Sequence, residues 1–454
     1  MFYYNTNRNI IHQKKILHNL LSHYRINGYR QFTSYPVCDY YYLKERNFYD
    51  LPDEQIMAFV RTSGTQSFAK LIPISKEYLH ANHLKASKLI LKELLLQYRQ
   101  YHILKGNNLV LNGYLYNEVY RGKPVIDISA LLFLKRPTLF RSIGYPEKQF
   151  SHWKEKLNYL LQNIDKLGRI TSISGVPTWM LSLFVQMKKK TGKPVNELLP
   201  NLKLIIHGGV IFDNYYAEFD KIFHDRKLTY YNVYNATEGF YGIQFKKGNY
   251  LKLLNDAGIF YEFKNEEGVV PVWQAQKNKE YELIISNSDG LLRYRTNDII
   301  KILSLEPFVF SITGRVDEYI NAFGEDMLIT QARAALNKTL ARFPVQIITF
   351  FVVPFYSTGD EVGYHEWYFV VNEKLPTEII EKTALYLDQA LMEINNNYKQ
   401  KRNNSLAMQN LKIKQIDFDT YTGLIKKFRN AQGGQTKLKH LYNNREIIKF
   451  LNYG

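Results

Sequence analysis

The chain has 454 residues, enough for one large domain plus a smaller one with ample core. Its 45% apolar and 22% charged residues are ordinary for a folded protein, and a formal charge of +18 favours anions such as nucleotides and carboxylates as partners. Cys38 is the single cysteine, which excludes an internal disulfide and any cysteine-based metal site.

Near the N-terminus Ile10, Ile11, Ile16, Leu17, Leu20 and Leu21 fall at helical spacing, with Arg8, His12, Lys14 and Lys15 among them. That pattern predicts an amphipathic packing helix rather than the continuous apolar core of a signal peptide. No apolar run approaches the roughly 20 residues of a membrane-spanning helix, so a cytoplasmic protein is expected. The positive charge is dispersed, with local densities at Lys188 to Lys190 and from Lys426 to Arg445. It reads as a solvated basic surface. No helix-turn-helix, RNA-recognition or zinc motif accompanies it, and no nucleic-acid partner is expected.

Helical patterns are predicted over 80–102, 148–166 and 179–190, and strands over 108–112, 169–173, 202–206 and 228–234. Strands alternating with helices predict a large, layered α/β domain with a mostly parallel sheet over 1–315, with ligands at the C-terminal ends of its strands. Beyond residue 315 the pattern changes to strands over 347–354, 366–371 and 411–416 and a helix over 376–395. A smaller, mobile α+β domain over 316–454 is expected. Gly314-Arg315-Val316-Asp317-Glu318 is a small, charged junction suited to a hinge.

Three segments carry candidate chemistry. Arg61-Thr62-Ser63-Gly64-Thr65-Gln66-Ser67-Phe68-Ala69-Lys70 clusters hydroxyls and a glycine ahead of a lysine, as a phosphate-wrapping loop needs. It lacks the spacing of a Walker loop, and a capped turn would explain it equally. Tyr234-Asn235-Ala236-Thr237-Glu238 follows an apolar strand, where an α/β sheet places a carboxylate for Mg²⁺ and phosphate; a helix cap is the plain alternative. In Leu291-Leu292-Arg293-Tyr294-Arg295-Thr296-Asn297-Asp298 the carboxylate after a strand suits ribose hydroxyls, and an Asp capping its own turn is the plain alternative.

The order of these segments, followed by Gly314-Arg315-Val316-Asp317, resembles the ordered signature of the adenylate-forming superfamily. Within it the chain is similar to the acyl acid–amido synthetases first known as plant auxin-responsive proteins, especially their bacterial relatives. The likeness runs from Tyr35-Pro36-Val37 to the C-terminus, through Ser174-Gly175-Val176-Pro177-Thr178-Trp179-Met180, Ile206-His207-Gly208-Gly209-Val210, Tyr234 to Gly239 and Gly433-Gly434-Gln435-Thr436-Lys437.

This resemblance implies an enzyme that uses ATP and Mg²⁺ to convert a carboxylic acid to its acyl-AMP and then passes the acyl group to an amine, an amino acid being the expected acceptor. It puts Thr62, Ser63, Gly64, Thr65 and Lys70 around the ATP phosphates and Tyr234, Asn235, Ala236 and Thr237 along the nucleotide, with Tyr234 stacked near adenine. Glu238 would be the Mg²⁺ ligand, Asp298 would hold the ribose, and Arg315 would contact ribose or phosphate. Gly208 and Gly209 would border adenine and the acyl pocket, and Val176, Trp179 and His207 would line that pocket. Lys437 would be the catalytic lysine that neutralises charge during adenylation. The chain departs from the family pattern at Gln66, in a loop one residue shorter, at Asn297 in place of a glycine, and at Lys439-His440 in place of Pro-Arg. Two alternatives remain open: thioester formation as in acyl-CoA ligases, and a degenerate nucleotide-binding member without turnover.

Overall fold

The computed structural model describes residues 6–61, 70–111, 115–135, 144–145, 153–210, 212–246, 250–316, 318–343, 345–403, 407–431 and 439–451. Apolar spacing at the N-terminus produces the helix Thr6–His23, which buries Leu17 and Leu20 beside Phe32, Phe260 and Leu292, while Ile11 faces solvent. A buried polar residue anchors it. The Gln13 amide donates to the carbonyls of Asn255 (2.7 Å) and Ile259 (2.9 Å), and its oxygen accepts from the Tyr261 N–H (3.0 Å). Each buried backbone group there is thereby satisfied.

The dominant feature among the described residues is a twelve-stranded sheet. At one side Gly144–Tyr145, Asn107–Val110, Ile170–Gly175, Leu204–His207 and Thr229–Asn235 lie side by side and parallel. The helices Pro177–Thr191 and Asp213–Ile222 lie between these strands in sequence and share one apolar cluster with them, in which Phe184, Phe219 and Ile173 are fully buried. Each such side chain contributes roughly 1.5–3 kcal/mol by leaving water. The predicted strands and helices of this region form with small shifts at their ends. The pattern over 80–102 divides into a π-helical turn His80–Leu84 and the helix Lys85–Leu96; of the helix over 148–166 the described part is Trp153–Gln162, followed by a 3-10 turn Ile164–Arg169.

The expectation of a mostly parallel sheet needs correction. From Thr229–Asn235 through Phe240–Gln244 and on to Tyr294–Leu305 and Phe308–Arg315, every pairing in the large sheet is antiparallel. No α-helix lies between residues 235 and 315 among the described residues. Parallel neighbours need a long crossover, whereas these strands follow one another through turns. A separate four-stranded sheet holds Ile56–Arg61 between Leu71–Ser75 and Lys123–Ile126, with Leu115–Tyr120 outermost.

The C-terminal part builds its own core. Thr349–Phe355, Tyr364–Val371 and Lys412–Asp417 form a three-stranded sheet, the first pair antiparallel and the second parallel. Period-two alternation explains the two faces. Phe350, Trp367 and Phe369 cluster with Ala335, Leu387 and Leu391 of the helices Ile329–Arg342 and Thr377–Ile394. Phe351, Tyr368 and Val370 cluster instead with Leu424 and Phe428 of the helix Phe418–Ala431. The chain beyond Lys439 adds to this sheet: Val352 donates to the His440 carbonyl (2.7 Å) and Tyr442 to the Val352 carbonyl (3.0 Å).

Candidate active site

Three parallel strands end together. Gly175 pairs with His207, and His207 with Asn232, so the segments that continue as Val176, Gly208-Gly209 and Tyr234 to Glu238 emerge along one edge. That edge is where α/β sheets bind ligands, and it opens on a cavity of about 970 Å³. Gly208 permits this convergence, since a Cβ there would be driven into the Val233 carbonyl oxygen. Gly209 has φ +82, the left-handed backbone that glycine tolerates best. A Gly208→Ala variant is expected to lose about 1–3 kcal/mol of stability from overpacking against backbone that cannot give. Urea unfolding monitored by circular dichroism measures this, and an unchanged midpoint would contradict the close approach.

His207 lies 2% exposed, its ring stacked on Phe212 at 3.9 Å between centroids. Burial pulls its pKa down to about 3, so at neutral pH it is an uncharged aromatic wall. Val176 precedes the helix Pro177–Thr191 and stands within 3.5 Å of where a Gly209 Cβ would lie. Trp179, on the first turn of that helix, also faces the cavity. Its ring carries the Lys401 ammonium at 4.4 Å from the centroid.

A polar cluster occupies the other wall. The Lys70 ammonium donates to the Tyr294 hydroxyl (3.2 Å), which donates to Oε1 of Glu238 (2.9 Å). Burial lowers the Lys70 pKa, and the Glu238 carboxylate opposes that shift. Among the described residues the second Glu238 oxygen accepts no hydrogen bond. The Glu238 backbone is fixed by the Tyr78 hydroxyl, which donates to its carbonyl (2.8 Å). The Tyr234 hydroxyl donates to the Asp298 carboxylate, and the Tyr234 ring stands edge-on to Tyr241 at 4.8 Å.

Asp298 is not past the end of a strand, as the motif suggested, but inside Tyr294–Leu305, in register with Arg315 of the neighbouring strand. Its carboxylate lies 3.5 Å from Arg315 Nε, and Asp326 lies 3.7 Å from Nη1. Burial raises the Asp298 pKa, with Arg315 working against it. Burial would depress Arg315 in turn, but the two carboxylates outweigh it and hold the guanidinium above its ordinary range. Asn297 has φ +63, so asparagine fills the left-handed position it tolerates better than most residues. The neighbouring arginines of this motif do structural work. Arg293 pairs with buried Glu262 (3.0 and 3.1 Å) and Arg295 with Glu282 (2.7 and 3.0 Å).

Lys70, Val176, Trp179, His207, Gly208, Gly209, Tyr234, Asn235, Ala236, Thr237, Glu238, Asp298 and Arg315 therefore all line one cavity. Thr62, Ser63, Gly64, Thr65, Gln66, Asp317 and Lys437 lie outside the described residues. Arg61 and Lys70, on either side of the loop, both line the cavity, and Arg61 pairs with Leu71 across the two strands. Downstream of Lys437, the His440 ring donates from Nδ1 to the Phe350 carbonyl (2.7 Å) and stacks on Phe350 at 4.8 Å. Among the cavity residues not singled out from sequence are Tyr294, Asp326, Asn397 and Lys401. Tyr294 lay within a motif that read only its carboxylate, and the other three have no local signature.

A dedicated metal cage is absent: no group of three or more His, Cys, Asp or Glu gathers among the described residues. Mg²⁺ commonly takes one or two carboxylates and completes its shell with phosphate and water. A single carboxylate with an oxygen to spare, beside a lysine and an arginine, fits that pattern. No helix among the described residues is long and apolar enough to cross a membrane.

The mixed α/β architecture is shared with solved structures of adenylate-forming enzymes. The solved structures it matches include a GH3.15 acyl acid amido synthetase in complex with 2,4-DB, at TM-score 0.57 and 15% identity, covering 99% of this chain and 96% of that one. Another GH3.15 acyl acid amido synthetase matches at TM-score 0.56 and 16% identity, over 97% and 92% of the two chains. A 2-hydroxyisobutyryl-CoA ligase in complex with 2-HIB-AMP and CoA matches at TM-score 0.54 and 12% identity, over 98% and 91%. At such identities the likeness is one of fold. In sequence, residues 252–315 match the GH3 family central domain and residues 330–446 the GH3 family C-terminal domain. These two stretches carry the sequence likeness to the GH3 family. Among curated proteins, none matches it in sequence.

Proposed function

We propose that this protein activates a carboxylic acid with MgATP and transfers the acyl group to an amine, most simply an amino acid, to form an amide. The observation that carries the reading is the convergence of Lys70, Glu238, Asp298 and Arg315 on one cavity at the ends of parallel strands, in a chain with two consecutive GH3 domains. Asp298 is oriented by Tyr234 and Arg315, and has the chemistry to accept from ribose hydroxyls. Lys70 and Arg315 are cations suited to phosphate, and Glu238 is the carboxylate suited to Mg²⁺. The metal, when bound, offsets negative charge on the phosphates.

In the first step a carboxylate oxygen bonds to the α-phosphorus of ATP as the bond to the β-phosphate oxygen breaks and pyrophosphate leaves. In the second, the amine nitrogen bonds to the acyl carbon, the bond to AMP breaks and the amine gives up a proton. No nucleophilic side chain is needed, which suits a site whose aromatic and charged groups can bind and orient but show no Ser-His or Cys-His pair among the described residues. We further propose a division near residue 315, with the part beyond it acting as a lid that brings Lys437 to the α-phosphate, and a cytoplasmic location with access to ATP.

ATP–pyrophosphate exchange over a panel of aromatic, fatty and hydroxy acids tests this: acid-dependent exchange is expected. Exchange absent with every acid, while ATP still binds, would favour a nucleotide-binding relative without turnover. The likeness to the CoA ligase favours a second reading, in which a thiol accepts the acyl group. Product formation that requires CoA and ignores amines would establish that reading instead. The acyl pocket is assigned to Val176, Trp179 and His207, whose apolar and aromatic surfaces suit an apolar or aromatic acid. Trp179→Ala is expected to change the rank order of acids by about tenfold or more, the usual worth of a lost aromatic contact. An unaltered order would remove Trp179 from the pocket.

A further inference from the structure

Lys401 and Asn397 lie outside every motif read from the sequence, yet both face the cavity. They stand four residues apart on the helix Asn396–Arg402, hence on one face of it. Asn397 is only 4% exposed, and its Nδ2 has no acceptor among the described residues. A buried donor left unpaired is costly, so such a group in a cavity wall is poised for a ligand. The Lys401 ammonium rests over the Trp179 ring at 4.4 Å. Gly324 leaves room for it, since a Cβ there would sit 3.2 Å from the Lys401 Cε.

We infer that Lys401 and Asn397 form a subsite for a second carboxylate, one that is bound but not activated. The inference rests on the proposed function for its place in a reaction. One carboxylate can accept from both groups through its two oxygens. Burial draws the Lys401 pKa down to about 8, and the charges that oppose this are three carboxylates, Asp127, Asp326 and Glu325. A cation opposed by carboxylates suits a monoanion or a zwitterion, whose ammonium Asp127 would favour. The shared chemistry has two sources: the α-carboxylate of an amino-acid acceptor, or the distal carboxylate of a dicarboxylic acid substrate.

The full chain and its Lys401→Met and Lys401→Arg variants separate these. Amide formation is measured with L-alanine and with ethylamine, which lacks the carboxylate, and pyrophosphate exchange with adipate and with hexanoate. Loss of Lys401's charge is expected to raise KM about tenfold or more for the carboxylate-bearing member of one pair, leaving its partner unchanged, with Arg restoring part of the effect. An effect on alanine identifies the acceptor as the source, and an effect on adipate identifies the acid. Equal effects on both members of a pair, or none in either pair, would overturn the subsite. Should the wild-type chain turn over no acid at all, the proposed function fails, and calorimetric titration with L-alanine and glutarate judges the subsite alone. Binding by the wild type that Lys401→Met abolishes would uphold it, and absence of binding would overturn it.

Discussion

A Glu238→Gln variant is expected to lose about 10²- to 10³-fold in pyrophosphate exchange while unfolding at the wild-type temperature. Glutamine preserves the shape and can still accept the Tyr294 hydroxyl through its amide oxygen, so the chain from Lys70 through Tyr294 stays intact. The Glu238 carbonyl still accepts from Tyr78. What disappears is the negative charge, which is the property a Mg²⁺ ligand needs. The loss should appear with a higher Mg²⁺ requirement, since saturating metal recovers part of the missing affinity. Exchange measured against Mg²⁺ concentration is therefore the decisive assay. A variant with wild-type rate and unshifted Mg²⁺ dependence would remove Glu238 from the metal site.

Lys437→Ala is expected to have the larger effect, about 10³-fold or more on exchange, with ATP affinity retained. Attack of a carboxylate on an α-phosphate brings two negatively charged groups together, and a cation held against the developing charge acts most strongly in the transition state. Lys70 and Arg315 already line the cavity, so ground-state binding of ATP does not hinge on a further lysine. The second half-reaction involves no such charge build-up at phosphorus. Acyl transfer from synthetic acyl-AMP should accordingly survive in this variant. Loss of both half-reactions together would mean that Lys437 supports the fold of its domain, and loss of neither would mean that the role lies elsewhere. The attachment of the chain after Lys437 is firm: Lys439 to Tyr442 join the C-terminal sheet through Val352 and the His440–Phe350 contact.

Local sequence carried much of this. The strands ending at Gly175, His207 and Asn235 are short apolar runs, and the helices between them have apolar residues at helical spacing, so their existence and order follow from burial alone. The hydroxyl- and glycine-rich segments after such strands mark where ligands bind, and their order carried the family likeness. The antiparallel half of the large sheet was missed because an apolar run has no direction: Tyr281 to Ser286 looks the same whether its neighbour runs up or down. Only the absence of intervening helices distinguishes the two cases.

The chain by itself thus determined the strands and helices of the parallel half and of the C-terminal part, and which carboxylates and lysines were candidates for nucleotide chemistry. Tertiary structure alone decided their partnerships. Lys70 meets Tyr294 across 224 positions and Tyr234 meets Asp298 across 64, distances over which no periodicity carries information. Arg315 lies opposite Asp298 because of sheet register and takes Asp326 as a second carboxylate because the chain folds back. Asn397 and Lys401 are an ordinary polar pair on a short helix until that helix is set against Trp179, where Lys401 rests on the ring and the buried Asn397 amide has no acceptor among the described residues.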